Sequence, residues 1–337
     1  EDLVLRVASD MSGVPLHAPG VQESDRLGAL RGVLGERVQG QQQAVDVVTS
    51  AVLRSRAGVA SKDRPVASFL FTGPPGVGKT EMAKALAEEV FGDSSHLVTV
   101  DLGSFGDGSS VSRLFGSPPG YVGSDEGGEL TNAVRRRPHC VVLLDEADKA
   151  HPSVRDVFLQ VLDTGVLTDG LGRSTDFRHT IVIMTANTPP VGGAGLGSGF
   201  SPSVGAQLSV ARLVDVLGLR VELVNRFDEV VQFAPLDAQS LEGIVRRQVE
   251  QIADRVRVRD AEVLVDPRVV RWLVDRAIDT DVGGRGVRRV LTEFVENPLS
   301  DVIVSQSSIA GLRIRVDCDP GAGVSKEGCP VLVRVDS

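Results

Sequence analysis

The sequence predicts an α/β fold: a parallel sheet with helices on both faces, then a small, mostly helical domain carrying a short strand pair. Three observations lead there. Short apolar runs at 67–72, 97–102, 140–144, 180–185 and 230–233 alternate with helical stretches, as strands buried within a covered sheet do. The first run ends in Gly73-Pro74-Pro75-Gly76-Val77-Gly78-Lys79-Thr80, and a helix follows; this is a phosphate-binding loop in its strand–loop–helix context. Beyond Pro235 the apolar residues fall into helical spacing.

The elements follow in order. Residues 1–25, punctuated by Gly13, Pro15, Pro19 and Gly20, read as a short helix and a linker. A helical pattern covers Leu27 to Arg56, with Ala44, Val47, Val48, Ala51 and Val52 at 3.6-residue spacing. Helices are expected at Lys79–Phe91, Glu129–Arg136 and Ser153–Leu162. Residues 189–206, rich in Gly, Pro and Ser, read as a mobile surface loop. Leu241, Ile244, Val245, Val249, Ile252 and Val256 mark one face of an amphipathic helix. Val269–Ile278 and Gly286–Val295 follow as helices, and Leu312–Val316 and Val331–Val335 form the strand pair. The expected domains are a connector at 1–25, a large domain at 26–235 and a small one at 236–337.

Composition narrows the partners. A length of 337 residues suits two domains. The net charge of −9 opposes non-specific nucleic-acid binding, which draws its affinity from phosphate neutralisation. No apolar run approaches the roughly 20 residues of a membrane helix. Glu1-Asp2-Leu3-Val4 lacks a signal-like start and an initiator Met, so a fragment or processed form is expected. Cys140, Cys318 and Cys329 show no CxxC spacing, which fits free thiols in a reducing cytoplasmic setting. A local bridge between Cys318 and Cys329 is the lesser alternative.

The phosphate loop offers backbone N–H groups and a helix N-terminus to anionic phosphates. Lys79 supplies charge at the β/γ-phosphates and Thr80 a hydroxyl to Mg²⁺. About 60 residues on, Val141-Val142-Leu143-Leu144-Asp145-Glu146 is an apolar strand ending in two acids. Asp145 is the metal-side carboxylate, and Glu146 the group that orients and polarises the attacking water. An apolar run ending in Asp-Glu also occurs at ordinary solvated strand ends; its place downstream of the phosphate loop favours the catalytic reading.

Further stretches carry a family resemblance: Arg37-Val38-Gln39-Gly40-Gln41, Ser112 through Gly123 (including Gly120-Tyr121-Val122-Gly123), Glu126-Gly127-Gly128-Glu129-Leu130-Thr131, Arg135-Arg136-Arg137-Pro138, Leu143 through Pro152, Leu167-Thr168-Asp169-Gly170 and Asp176-Phe177-Arg178. In this order they resemble the second AAA+ module of the Clp unfoldases, the ClpB/ClpC/ClpA group and ClpC most of all, from about Val7 to Val316. The resemblance implies a P-loop AAA+ three-layer core with a lid domain. It also implies ATP hydrolysis with Mg²⁺ in a homo-hexamer that threads unfolded or tagged proteins through its pore. ATP would be held by Gly73, Pro74, Pro75, Gly76, Val77, Gly78, Lys79, Thr80, Asp145 and Val38.

It assigns sensor 1 to Asn187, the arginine finger to Arg226, sensor 2 to Arg285 and the aromatic pore loop to Tyr121 with Val122. Each has a plainer reading: a strand-end Asn, a surface Arg paired with Asp228 or Glu229, one Arg of a basic run with Arg288 and Arg289, and a loop anchor. Gly195-Leu196-Gly197-Ser198-Gly199-Phe200-Ser201 stands where family members dock the ClpP protease, and reads equally as a Gly/Ser linker. The chain departs from the family at Pro75, at Gly103–Gly108, at Val221-Glu222-Leu223 and at Gly286; none of these removes a catalytic group. The rival readings are a protease-independent disaggregase, a clamp-loader-like protein acting on nucleic acid, and a scaffold that binds ATP but hydrolyses it weakly.

Overall fold

The computed structural model describes residues 21–59, 61–107, 111–117, 120, 127–189, 210–279, 283–306, 311–318 and 331–336. The chain divides into two compact units: residues 1–74 with 78–234, and residues 235–337 with the three-residue segment 75–77.

The first unit begins with α1 (Val21–Arg37) and α2 (Gln42–Arg56). Then come β1 (Ala67–Gly73), α3 (Lys79–Phe91), β2 (Leu97–Asp101), α4 (Val111–Phe115), α5 (Glu129–Arg136), β3 (Val141–Asp145) and α6 (Pro152–Thr164). A hairpin of β4 (Val166–Thr168) and β5 (Ser174–Asp176) precedes β6 (Ile181–Asn187), α7 (Val210–Leu217), α8 (Val221–Val224) and β7 (Glu229–Gln232). The helical stretch read over Leu27–Arg56 is two helices, because Gly40 turns left-handed between them (φ +74°). The first starts at Val21, inside the stretch read as connector.

All five main strands are parallel, in the order β2-β3-β6-β1-β7. Neighbouring residues on a strand point to opposite faces. Leu70, Val142, Leu144, Val182 and Met184 join one core with Leu130 and Val134 of α5, Phe158 of α6 and Leu213 of α7. The opposite face is covered by α2 and α3. Continuous apolar strands are the consequence of burial on both faces.

Cys140, just before β3, lies in that core with no exposure. Burial pushes its thiol up to about 12, so thiolate is scarce at neutral pH. In the native chain it is expected to resist alkylation for hours and to react at once in denaturant, read by peptide mass mapping. Labelling of native Cys140 within minutes would contradict this.

The second unit contains α9 (Ala238–Arg257), β8 (Glu262–Val265), α10 (Pro267–Asp279), α11 (Gly284–Leu291), α12 (Asn297–Ser305), β9 (Arg313–Cys318) and β10 (Val331–Asp336). Asp237 caps α9, its carboxylate accepting the Ser240 N–H at 2.8 Å. Leu241, Val245, Val249, Ile252 and Val256 of α9 pack with Val270, Leu273, Val287, Val290 and Ile314. A π-helical turn, Thr292–Glu296, joins α11 to α12. Pro298 follows it and has no N–H to donate, which explains a widened turn there.

The expected strand pair is a sheet of three. β9 pairs antiparallel with β10 and parallel with β8. Four residues beginning with an exposed Glu262 give too short an alternation to be recognised locally; pairing with β9 makes them a strand. Cys329, and with it the local bridge to Cys318, lies outside the described residues.

Candidate nucleotide site

Lys79, Asp145, Glu146 and Asn187, all candidate site residues of the first unit, lie where β1, β6 and β3 end. Gly73 pairs in register with Asn187, and Leu144 with Met184. The loop after β1, the acids after β3 and the Asn ending β6 therefore share one edge. Ligands of parallel sheets bind at that carboxyl edge, where the strand order reverses.

Lys79 opens α3 and is buried. Its ammonium donates to Gly73 O (2.6 Å), Pro74 O (2.8 Å) and Asn187 Oδ1 (3.0 Å). Asn187 at the end of β6 and the loop lysine are thus in direct contact. Gly78 (φ +107°) has no room for a side chain: a Cβ there would lie 2.9 Å from Val38 Cγ1. Val38 is buried, so the residue after α1 packs against the phosphate loop. Gln41 fixes this approach, its amide bonding both the N–H and the carbonyl of Ala234, at 2.9 and 2.8 Å. Pro75, Gly76 and Val77 form the tip linking Pro74 to Gly78, with Gly76 at φ +76°.

Asp145 and Glu146 are half-buried. Thr185 of β6 donates its hydroxyl to Asp145 Oδ1, and its Oγ1 accepts the Glu146 N–H at 3.1 Å. Glu146 adopts φ +57°, left-handed for a non-glycine residue. Its Oε2 accepts from Lys149 Nζ at 2.5 Å, a bond that raises the Lys149 ammonium above its ordinary value. Asp148 Oδ1 accepts the Asn187 N–H at 3.1 Å. Thr185, Asp148 and Lys149 were missed as site residues. Thr185, polar within an apolar strand, carried a local signal; Asp148 and Lys149 lie within the resembling stretch Leu143–Pro152 but are given no role there.

The Thr80 hydroxyl and the Asp145 carboxylate are the hard oxygen donors Mg²⁺ prefers, and the glycine-lined loop admits phosphate close to the backbone. The residues present fit a magnesium–nucleotide.

Arg226 stands at the other end of the sheet. Asp228, two residues on, accepts from Ser68 N (2.8 Å) and Ser68 Oγ (2.7 Å) at the start of β1. Gly73 ends that strand, five residues later and about 16 Å away at strand rise, beyond the reach of Arg226. Its guanidinium bonds Asp163 and lies 3.8 Å from Glu222. Asp228 and Glu229, the expected partners, pair with Arg64 (3.1 Å) and Arg54 (2.6 Å) instead. Arg285, in the first turn of α11, lines a surface groove of ≈ 450 Å³ with Arg288, Arg289 and Glu293. Tyr121 and Val122, like Leu196 and Phe200, lie outside the described residues.

Residues 64–230 match the family described as AAA domain (Cdc48 subfamily). Residues 236–316 match the C-terminal, D2-small domain, of ClpB protein. The chain is a C-terminal AAA+ ATPase module of the Clp family. This Clp module is 42% identical over 320 residues to "Chaperone protein ClpB" of Corynebacterium diphtheriae, with 94% of the chain and 36% of that protein covered. It is 42% identical to the protein of that name from Lactiplantibacillus plantarum over 90% of the chain and 35% of the relative. Against that of Aquifex aeolicus it is 41% identical, over 95% and 32%. The module thus spans about a third of the length of these relatives. Among the described residues no helix is long and apolar enough to cross a membrane.

Proposed function

We propose that the module hydrolyses ATP within a homo-hexameric ring and uses the turnover to thread unfolded or tagged protein chains through the pore, in the cytoplasm. The observation that carries this reading is the meeting of Lys79, Asp145, Glu146 and Asn187 at one sheet edge while Arg226 stands at the other. Lys79 and the loop N–H groups bind the phosphates. Thr80 and Asp145 hold Mg²⁺, which when bound neutralises phosphate charge. The Glu146 carboxylate orients the attacking water and accepts its proton, with the Asn187 amide beside it. Arg226, out of reach of its own loop, serves a neighbouring subunit's nucleotide. Arg285 reports nucleotide state to the second unit. Tyr121 and Val122 grip the threaded chain by apolar surface without reading its sequence.

The relatives' name, Chaperone protein ClpB, favours a chaperone or disaggregase over a protease feeder. The segment around Leu196 and Phe200 keeps ClpP docking as a second reading, tested by ClpP pull-down with residues 195–201 deleted. Lys79, Glu146 and Arg226 are all present, against a weakly hydrolysing scaffold.

A finger supplied in trans makes turnover depend on assembly. Turnover per subunit is expected to rise steeply with protein concentration before it levels, measured as phosphate release at saturating ATP. Turnover per subunit that stays flat over the assembly range would reject the trans finger.

A further inference from the structure

We infer that Arg64 is a positioning residue for the Arg226 finger; the inference rests on Arg226 acting upon a neighbouring subunit's nucleotide. Arg64 Nε donates to Leu162 O at 2.8 Å, Nη2 donates to Arg226 O, and Nη1 lies 3.1 Å from Asp228 Oδ1. One guanidinium thus spans the end of α6 and the loop between α8 and β7. The next residue of α6, Asp163, takes the guanidinium of Arg226 itself. Arg64 therefore holds the finger's carbonyl at a fixed place beside the carboxylate that aims its side chain.

The loop has a second anchor. Asp228 accepts two bonds from Ser68, and its own N–H donates to Ser68 Oγ at 3.0 Å. Leu162 and Asp163 on α6, Ser68 on β1 and Asp228 before β7 meet around two arginines, one serving geometry and the other exposed enough to reach outward. Arg64 is two-thirds covered and Arg226 is 42% exposed. Arg64 precedes the start of β1 by three residues, away from the phosphate loop at the strand's end, so it has no direct route to its own subunit's nucleotide. Its planar fork fits three acceptors in fixed directions, which the single point charge of Lys does not. A finger displaced by about 1 Å loses up to ~10²-fold in rate through misalignment alone.

The test compares the native chain, Arg64→Lys, Arg226→Ala and the double variant, at a concentration where native turnover per subunit has levelled. Readouts are kcat, affinity for a fluorescent ATP analogue and thermal midpoint. Arg64→Lys keeps the charge beside Asp228 and is expected to stay folded. It should lower kcat about tenfold, leave analogue affinity within about twofold, and add no further loss in the Arg226→Ala background. Native kcat in Arg64→Lys would overturn the inference. So would weakened analogue binding, or the same tenfold loss repeated in the Arg226→Ala background, since each marks a general structural role. Native turnover in Arg226→Ala itself would instead remove the finger reading beneath it.

Discussion

Glu146→Gln is expected to lower ATP turnover by about 10²–10⁴-fold while leaving ATP binding at the native level. The substitution keeps the size and planarity of the side chain but removes its capacity to accept a proton. The fold around it should survive. The Glu146 N–H bonds Thr185 Oγ1 whatever the side chain, and the left-handed backbone costs on the order of 1 kcal/mol in either case. Lys149 loses an ionic partner, but its side chain is 57% exposed, and such pairs contribute little. Phosphate release and fluorescent-nucleotide binding, measured together, check the result. Turnover above a tenth of native would remove Glu146 from the water-activating role; lost binding would make it part of the phosphate site instead.

Asp169→Ala is expected to destabilise the first unit by about 2–3 kcal/mol, because a buried charged acceptor of two backbone N–H groups and two guanidiniums is lost. Asp169 closes the turn between β4 and β5 with its side chain wholly covered. Burial alone would raise its carboxyl. The N–H groups of Arg173 and Leu171 and the guanidiniums of Arg173 and Arg135 outweigh this and hold it at about 2. Arg135 comes from α5 and also bonds Thr175 at 3.0 Å, so the carboxylate ties the hairpin to that helix. Denaturant midpoints for native chain and variant measure the loss, and a difference under about 1 kcal/mol would contradict it. The folded carboxyl titrates below the ordinary 3.8, so its contribution is present above that pH and disappears as pH falls toward 2. The gap between native chain and variant should accordingly narrow over that interval. A constant gap would assign the loss to packing.

Local pattern carried much of the nucleotide site. The phosphate loop and the paired acids are each marked by neighbours in sequence, because glycine spacing and apolar strand runs are properties of adjacent residues; Asn187 is picked out by the family resemblance. Helices Lys79–Phe91 and Glu129–Arg136 begin and end where periodicity and glycine boundaries indicate. The β4–β5 hairpin and β8 escaped notice because their strands are three or four residues long, too short for alternation to stand out. Their stability comes from partners distant in sequence.

The sequence by itself determined the chemistry on offer: which side chains can bind phosphate, hold a divalent cation or take a proton from water. Tertiary structure alone decided their company. Lys79 meets Asn187 across 108 positions, Thr185 bridges Asp145 and Glu146 across 40 and 39, and Arg64 reaches the carbonyl of Arg226 across 162. Strand order sets these meetings. It brings the ends of β1, β6 and β3 to one edge and the start of β7 to the other, and no periodicity within a segment encodes which strands become neighbours.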